Sequence, residues 1–258
     1  MNKLNVRSVN KLTGWEYNLN LFQILEDMRN SQKKSKVKTE LNSGFVIIAV
    51  MTEGKSPQEI RIPRQQRSRE RVEAILEAAK ALIVEKGSAG LKIQEIAKVA
   101  GVTPGSMYQY FPNKAAILHA LAEQYLQQFH TLIKTSLSTK PMSLTECVSS
   151  MNLLFDQFYK MNRQDPVLRD IWLSISVDKT MRDMDIRSTQ RNAALLFETF
   201  KHLFLEEHWP GLRRYFLLVV HITPPAIRLA LTADPSEVAD YIETSKRMIS
   251  TSLLGWIQ

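Results

Sequence analysis

The stretch Leu91 to Lys114, LKIQEIAKVAGVTPGSMYQYFPNK, decides how the rest of the chain reads. Ile93, Ile96, Ala97 and Ala100 stand at i, i+3, i+4 and i+7, the spacing of one apolar stripe on a short helix starting near Lys92. Gly101 follows at once, and glycine there accepts the left-handed backbone that ends a helix and turns the chain sharply. Thr103 and Pro104 then form a start signal. The threonine hydroxyl can accept from an amide that would otherwise have no partner, and proline at the first helical position loses nothing by lacking an N–H. A second short helix is predicted from about Pro104, ended by Pro112.

Two short helices joined by a tight glycine-containing turn are the plan of a helix-turn-helix, whose second helix enters the DNA major groove. Met107 and Phe111 are four apart and point to the same side, which leaves Gly105, Ser106, Tyr108 and Gln109 outward. Gly105 lets backbone approach a phosphate closely. Ser106 and Gln109 can reach base edges or phosphate oxygens, and Tyr108 offers a ring with a hydroxyl donor. Asn113 reads as the cap of the next helix, which places the Lys114 ammonium beside a helix N-terminus, where phosphate is already favoured.

The run from Ile93 through EIAKVAGVTPGSMYQYFPNKAAIL, preceded by RSRERVEAILEAAKALIVEKG, resembles the DNA-binding domain of the TetR (tetracycline-repressor-like) family of bacterial regulators. The likeness covers about Arg67 to Leu121. It implies that Thr103, Pro104, Gly105, Ser106, Tyr108, Gln109 and Tyr110 belong to the recognition helix and Lys114 to a phosphate clamp. The chain departs from the family pattern at Lys92, where threonine or serine is usual, and at Ala116, where an acidic residue is frequent.

The 258 residues are enough for two domains or one larger one. Nine glycines are about half the usual share of roughly 7%, and leucine, alanine, glutamate and lysine are plentiful, which favours helix over sheet. The net charge of +8 is uneven: residues 61 to 135 carry +5, whereas 136 to 258 are balanced. Arg61, Arg64, Arg67, Arg69 and Arg71 are opposed only by Glu70, and a cluster so placed before a helix-turn-helix reads as tracking phosphate or entering a minor groove, with Arg67, Arg69 and Lys92 as candidate contacts. Cys147 is the sole cysteine, so no intrachain disulfide forms, in keeping with a reducing cytoplasm. Phe45 to Met51 and Tyr215 to Ile222 fall short of the roughly 20 apolar residues of a membrane helix, and no membrane partner is expected.

Residues 1–60 read as a poorly structured extension, with a helical turn or two at Leu21 to Met28 and a short strand or buried coil at Phe45 to Met51. Met51 opens MTEGKSPQEIRIPRQQRSRE, similar to the loose polar beginning of a TetR-like regulator, so residues 1–50 read as an extension, with a start-codon artefact as one explanation for it. The DNA-binding domain is placed at 61–121, its first helix carried by Val72, Ile75, Leu76, Ala79, Leu82 and Ile83 and stopped by Gly87. A long amphipathic helix from Lys114 to about Ser136 couples it to an effector-binding and dimerisation domain at 122–258.

The second domain reads as helices over about Ser143–Asn162, Pro166–Val177, Lys179–Leu205, Gly211–Leu231 and Pro235–Trp256, with Pro224 and Pro225 kinking or splitting the fourth. Met151, Phe155, Phe158, Trp172, Phe197 and Phe200 are large and apolar. Plain core is their first reading, but they are also what a pocket for an apolar or aromatic effector would use. The last two helices are expected, by the resemblance, to form a four-helix homodimer interface. No phosphate-binding glycine loop, HExxH, CxxC or GxSxG occurs, the five histidines are dispersed, and no enzyme, metal or cofactor is expected. The expected protein is an all-α, cytoplasmic, homodimeric regulator that binds an operator and is released by a small molecule. The alternative is a helical ligand-binding or interaction module with a vestigial helix-turn-helix, against which the arginine cluster argues.

Overall fold

The computed structural model describes residues 64–255, which contain helices and no strand. The expectations for residues 1–60, and Arg61 with them, lie outside the described residues. The helices are α1 (Arg64–Lys86), α2 (Ile93–Val99), α3 (Pro104–Tyr110), α4 (Lys114–Ser136), α5 (Leu144–Gln164), α6 (Pro166–Val177), α7 (Lys179–Phe200), α8 (Trp209–Thr232) and α9 (Val238–Leu254). From Glu70 onward they form one compact unit.

In α1 every predicted core position, Val72, Ile75, Leu76, Ala79, Leu82 and Ile83, is buried. The helix stops at Gly87, whose φ of 74° lies in the region a side chain disfavours. The long α4 buries Ile117, Leu121, Tyr125 and Ile133 and packs against α6 and α7. Its neighbours α5 and α6 are bounded by side-chain caps: Ser143 Oγ accepts from the Glu146 amide, and Asp165 Oδ1 accepts from the amides of Val167 and Leu168 at 2.9 and 3.2 Å. Each such cap contributes about 1 kcal/mol. The most extensive packing is between α7 and α8, with α9 lying against α8 and α5.

Three expectations are corrected. First, α7 ends at Phe200 rather than Leu205, because the chain tightens into 3-10 turns over Lys201–Leu203 and Glu206–His208. The Trp209 indole N–H donates to the Lys201 carbonyl at 3.2 Å and its ring meets Phe197 edge-on, which pins that turn. Second, α8 is not split by Pro224 and Pro225. The prolines forgo two helical hydrogen bonds, but Val219, Val220, Thr223, Ile227 and Ala230 keep one buried face in register across them, so packing outweighs the loss. Third, α9 starts at Val238, because Asp234 caps a turn through the Ser236 amide and Pro235 lies within that turn.

Glu206–Thr232 is also, by length and composition, apolar enough to cross a bilayer, contrary to the sequence reading. Arg213, Arg214 and His221 interrupt it, so a search for unbroken apolar runs passes it over. Its inward face, with Leu212, Tyr215, Phe216, Val219 and Val220, is buried inside the protein.

Candidate nucleic-acid interface

Helix α2 buries Ile96 and Ala97 and is preceded by an extended, exposed Lys92 that makes no side-chain cap bond. The lysine contributes charge there rather than a cap. Gly101 has φ 67°, and the Val102 amide reaches back to the Ala97 carbonyl at 3.0 Å, so the turn is closed by backbone alone. Thr103 caps α3 as predicted: its Oγ1 accepts from the Ser106 amide at 3.2 Å and donates to Ser106 Oγ at 3.0 Å. Burial of Met107 and Phe111, both at 0% exposure, contributes about 1.5–3 kcal/mol each and fixes the rotation of α3. That rotation leaves Thr103, Pro104, Gly105, Tyr108 and Gln109 exposed, with Ser106 and Tyr110 half-buried.

Asn113 caps α4 by accepting from the Ala116 amide at 2.9 Å. Lys114, the first residue of α4, is half-buried; its Nζ donates to the Ala89 carbonyl at 3.0 Å and lies 3.5 Å from that of Ser88. Three N–H donors on one ammonium leave it capacity for a further acceptor. Arg67 and Arg69 occupy the opening turns of α1, the first exposed and the second half-buried. An ion pair from Lys86 to Glu95 ties the end of α1 to α2, and the hydrogen bond from Lys86 holds the Glu95 carboxyl below its usual range.

The family model described as "Bacterial regulatory proteins, tetR family" matches residues 75–121, and that for the "Tetracyclin repressor-like, C-terminal domain" matches residues 145–255. The chain belongs to the TetR family. Among its relatives, the uncharacterised HTH-type transcriptional regulator YvdT of Bacillus subtilis is 45% identical over 60 residues, covering 23% of this chain and 30% of YvdT. The probable HTH-type transcriptional regulator YttP of the same species is 24% identical over 107 residues, covering 42% and 51%. The matched regions thus span about half or less of these relatives. A TetR-family transcriptional regulator from Streptomyces coelicolor shares the fold, with TM-score 0.56 and 24% identity over 73% of this chain and 97% of that one.

In the C-terminal part of this TetR-family chain a cavity of about 30 Å³ lies among α4, α5, α7, α8 and α9. Of the six expected pocket residues, Met151, Phe155 and Phe158 line it, with Phe129, Ile133, Leu196 and Thr223. Trp172 stands edge-on to Phe158, with ring centres 6.5 Å apart, and its buried indole N–H has no partner. Phe197 and Phe200 lie elsewhere, against Trp209 and Phe216. The walls carry no charge, and the Thr223 hydroxyl is spent on the Val219 carbonyl at 2.7 Å. The Phe129 and Phe158 rings, with centres 4.2 Å apart, form part of its wall, and the space as it stands holds only a few atoms.

Outward on α8, Leu217, Leu218, Ile222 and Leu229 form an exposed apolar stripe, and α9 adds Tyr241, Met248 and Leu254. The sequence reading missed a further group of residues. Ser88 between α1 and α2 is held by Asp170 and Ser174 of α6, and His119 of α4 lies 3.2 Å from the Asp178 carboxylate that caps α7. These contacts join residues 59 to 86 positions apart, for which a single sequence carries no signal.

Proposed function

We propose that this chain is a DNA-binding transcriptional regulator, a homodimeric repressor released from a pseudo-palindromic operator by a small-molecule effector. The observation that carries the reading is the face of α3. Met107 and Phe111 are fully buried, while Gly105, Tyr108 and Gln109 face outward from a capped helix at the end of a glycine turn. Such a surface has no role in the fold of its own subunit. It fits a major groove, with Tyr108 and Lys114 on the backbone and Gln109 on a base edge.

The apolar stripe on α8 and α9 supports pairing of two copies, which brings two readers to half-sites about one helical turn apart. The uncharged walls around Phe129, Met151 and Phe158 suit a neutral, apolar or aromatic effector. A repressor of this kind works in the cytoplasm at the nucleoid. The test is a gel shift with the DNA upstream of the chain's own gene at two salt concentrations. A retarded band that weakens with salt is expected; no retardation at low salt overturns the reading.

A further inference from the structure

The loop between α1 and α2 is gripped from two sides. On one, the Asp170 carboxylate of α6 accepts from the Ser88 amide at 3.1 Å, and the hydroxyls of Ser88 and Ser174 lie 3.1 Å apart. On the other, the Lys114 ammonium at the start of α4 holds the Ala89 carbonyl at 3.0 Å and reaches toward that of Ser88. The loop has little slack between them. A Cβ added to Gly87 would stand 3.3 Å from the second oxygen of Asp170, and the same residue already has φ 74°. Backbone groups one peptide apart therefore connect a carboxylate on α6 to the cation that follows the recognition helix.

We propose that Asp170 is a positioning residue for the DNA contact of Lys114, acting through the Ser88–Ala89 peptide. Asp170 itself sits on α6, half-buried, with its Oδ1 engaged by the Ser88 amide. Its role is to fix the carbonyls that orient the lysine, so that one N–H faces a phosphate without further ordering. An ammonium released from these carbonyls recovers the rotamer freedom of a long side chain and must lose it again on binding. The proposal rests on the DNA-binding reading above and adds a specific route by which α6 bears on it.

The test uses a duplex recovered from a random pool by the wild-type chain, with affinity measured across salt concentrations. Lys114→Ala removes one phosphate contact from each protomer and so lowers the slope of log affinity against log salt by about 2 for a dimer on its two half-sites. Asp170→Ala removes a negative charge, which by long-range electrostatics alone would strengthen binding to DNA. If Asp170 positions Lys114, Asp170→Ala instead weakens binding by between about twofold and thirtyfold. It also lowers the salt slope toward that of Lys114→Ala, and the double variant is no weaker than Lys114→Ala alone.

Asp170→Asn keeps an oxygen acceptor for the Ser88 amide and restores most of the affinity. An unchanged slope in Asp170→Ala, or losses that multiply in the double variant, overturns the proposal. A wild-type chain that selects no duplex overturns the DNA-binding reading as well, so the two failures are distinguishable. Hydrogen exchange on the wild-type protein provides a second measurement that needs no variant to fold: the Ser88 amide is expected to be protected like those of α6, and exchange at the rate of an open loop refutes the contact.

Discussion

The phenol of Tyr125 donates to Oδ2 of Asp165 at 2.7 Å, while the other oxygen of the same carboxylate caps α6. One side chain thus begins a helix and ties its start to the middle of α4. Asp165→Ala removes the acceptor of the Tyr125 hydroxyl and the cap of two helix amides together, and a loss of about 2–4 kcal/mol in urea unfolding is expected. Asp165→Asn should recover much of it, because asparagine also caps.

Gly105 separates fold from function. A Cβ there meets nothing within 4 Å, so the fold itself does not require glycine. Gly105→Ala should raise stability by up to about 1 kcal/mol through helix propensity, yet weaken binding to a selected duplex. Higher thermal stability with unchanged affinity would remove Gly105 from the interface.

Tyr108→Ala and Gln109→Ala should differ in kind. Loss of the tyrosine is expected to weaken binding across many sequences, while loss of the glutamine changes preference at one or two base pairs by about 1–3 kcal/mol. Repeating the selection with each variant and comparing the recovered sequences checks this.

Asp178 gives a pH dependence of known sign. Its carboxyl lies below the ordinary 3.8, chiefly through the Met181 amide it accepts, with His119 adding to the effect and burial opposing it. A folded-state value below the unfolded one means that the stabilisation is complete above pH 3.8 and is lost as pH falls from there through the lower folded value. Asp178→Asn should therefore flatten the acid side of a stability profile, measured by thermal melts below pH 5.

Burial pushes the Cys147 thiol up to about 12. At neutral pH it is protonated and enclosed, so the native protein should not react with a thiol-specific disulfide reagent, whereas the protein in denaturant reacts at once. Rapid reaction of the folded chain would show that the thiol is not enclosed.

The helix-turn-helix was legible because its signals are local. Gly87, Gly101, Thr103, Asn113 and the apolar stripes each act within four or five residues of where they stand, and the structure places them as read. The C-terminal end of α7 and the interior of α8 were less so. The stop at Phe200 depends on Trp209, and the continuity of α8 through Pro224 and Pro225 depends on what its buried face meets. Neither partner is visible from the stretch itself. The pocket divided likewise: Met151, Phe155 and Phe158 lie on α5, facing the cavity, while Phe197 and Phe200, equally apolar, are turned toward Trp209 and Phe216. Composition cannot choose between two cores.

Of the seven residues in α3, only Met107 is buried. The helix is held by its two ends and one anchor, so its remaining side chains carry little of the cost of folding. Substitutions on its outward face should therefore leave the scaffold that presents it intact, so that on the DNA-binding reading what is bound can be altered at little cost to stability.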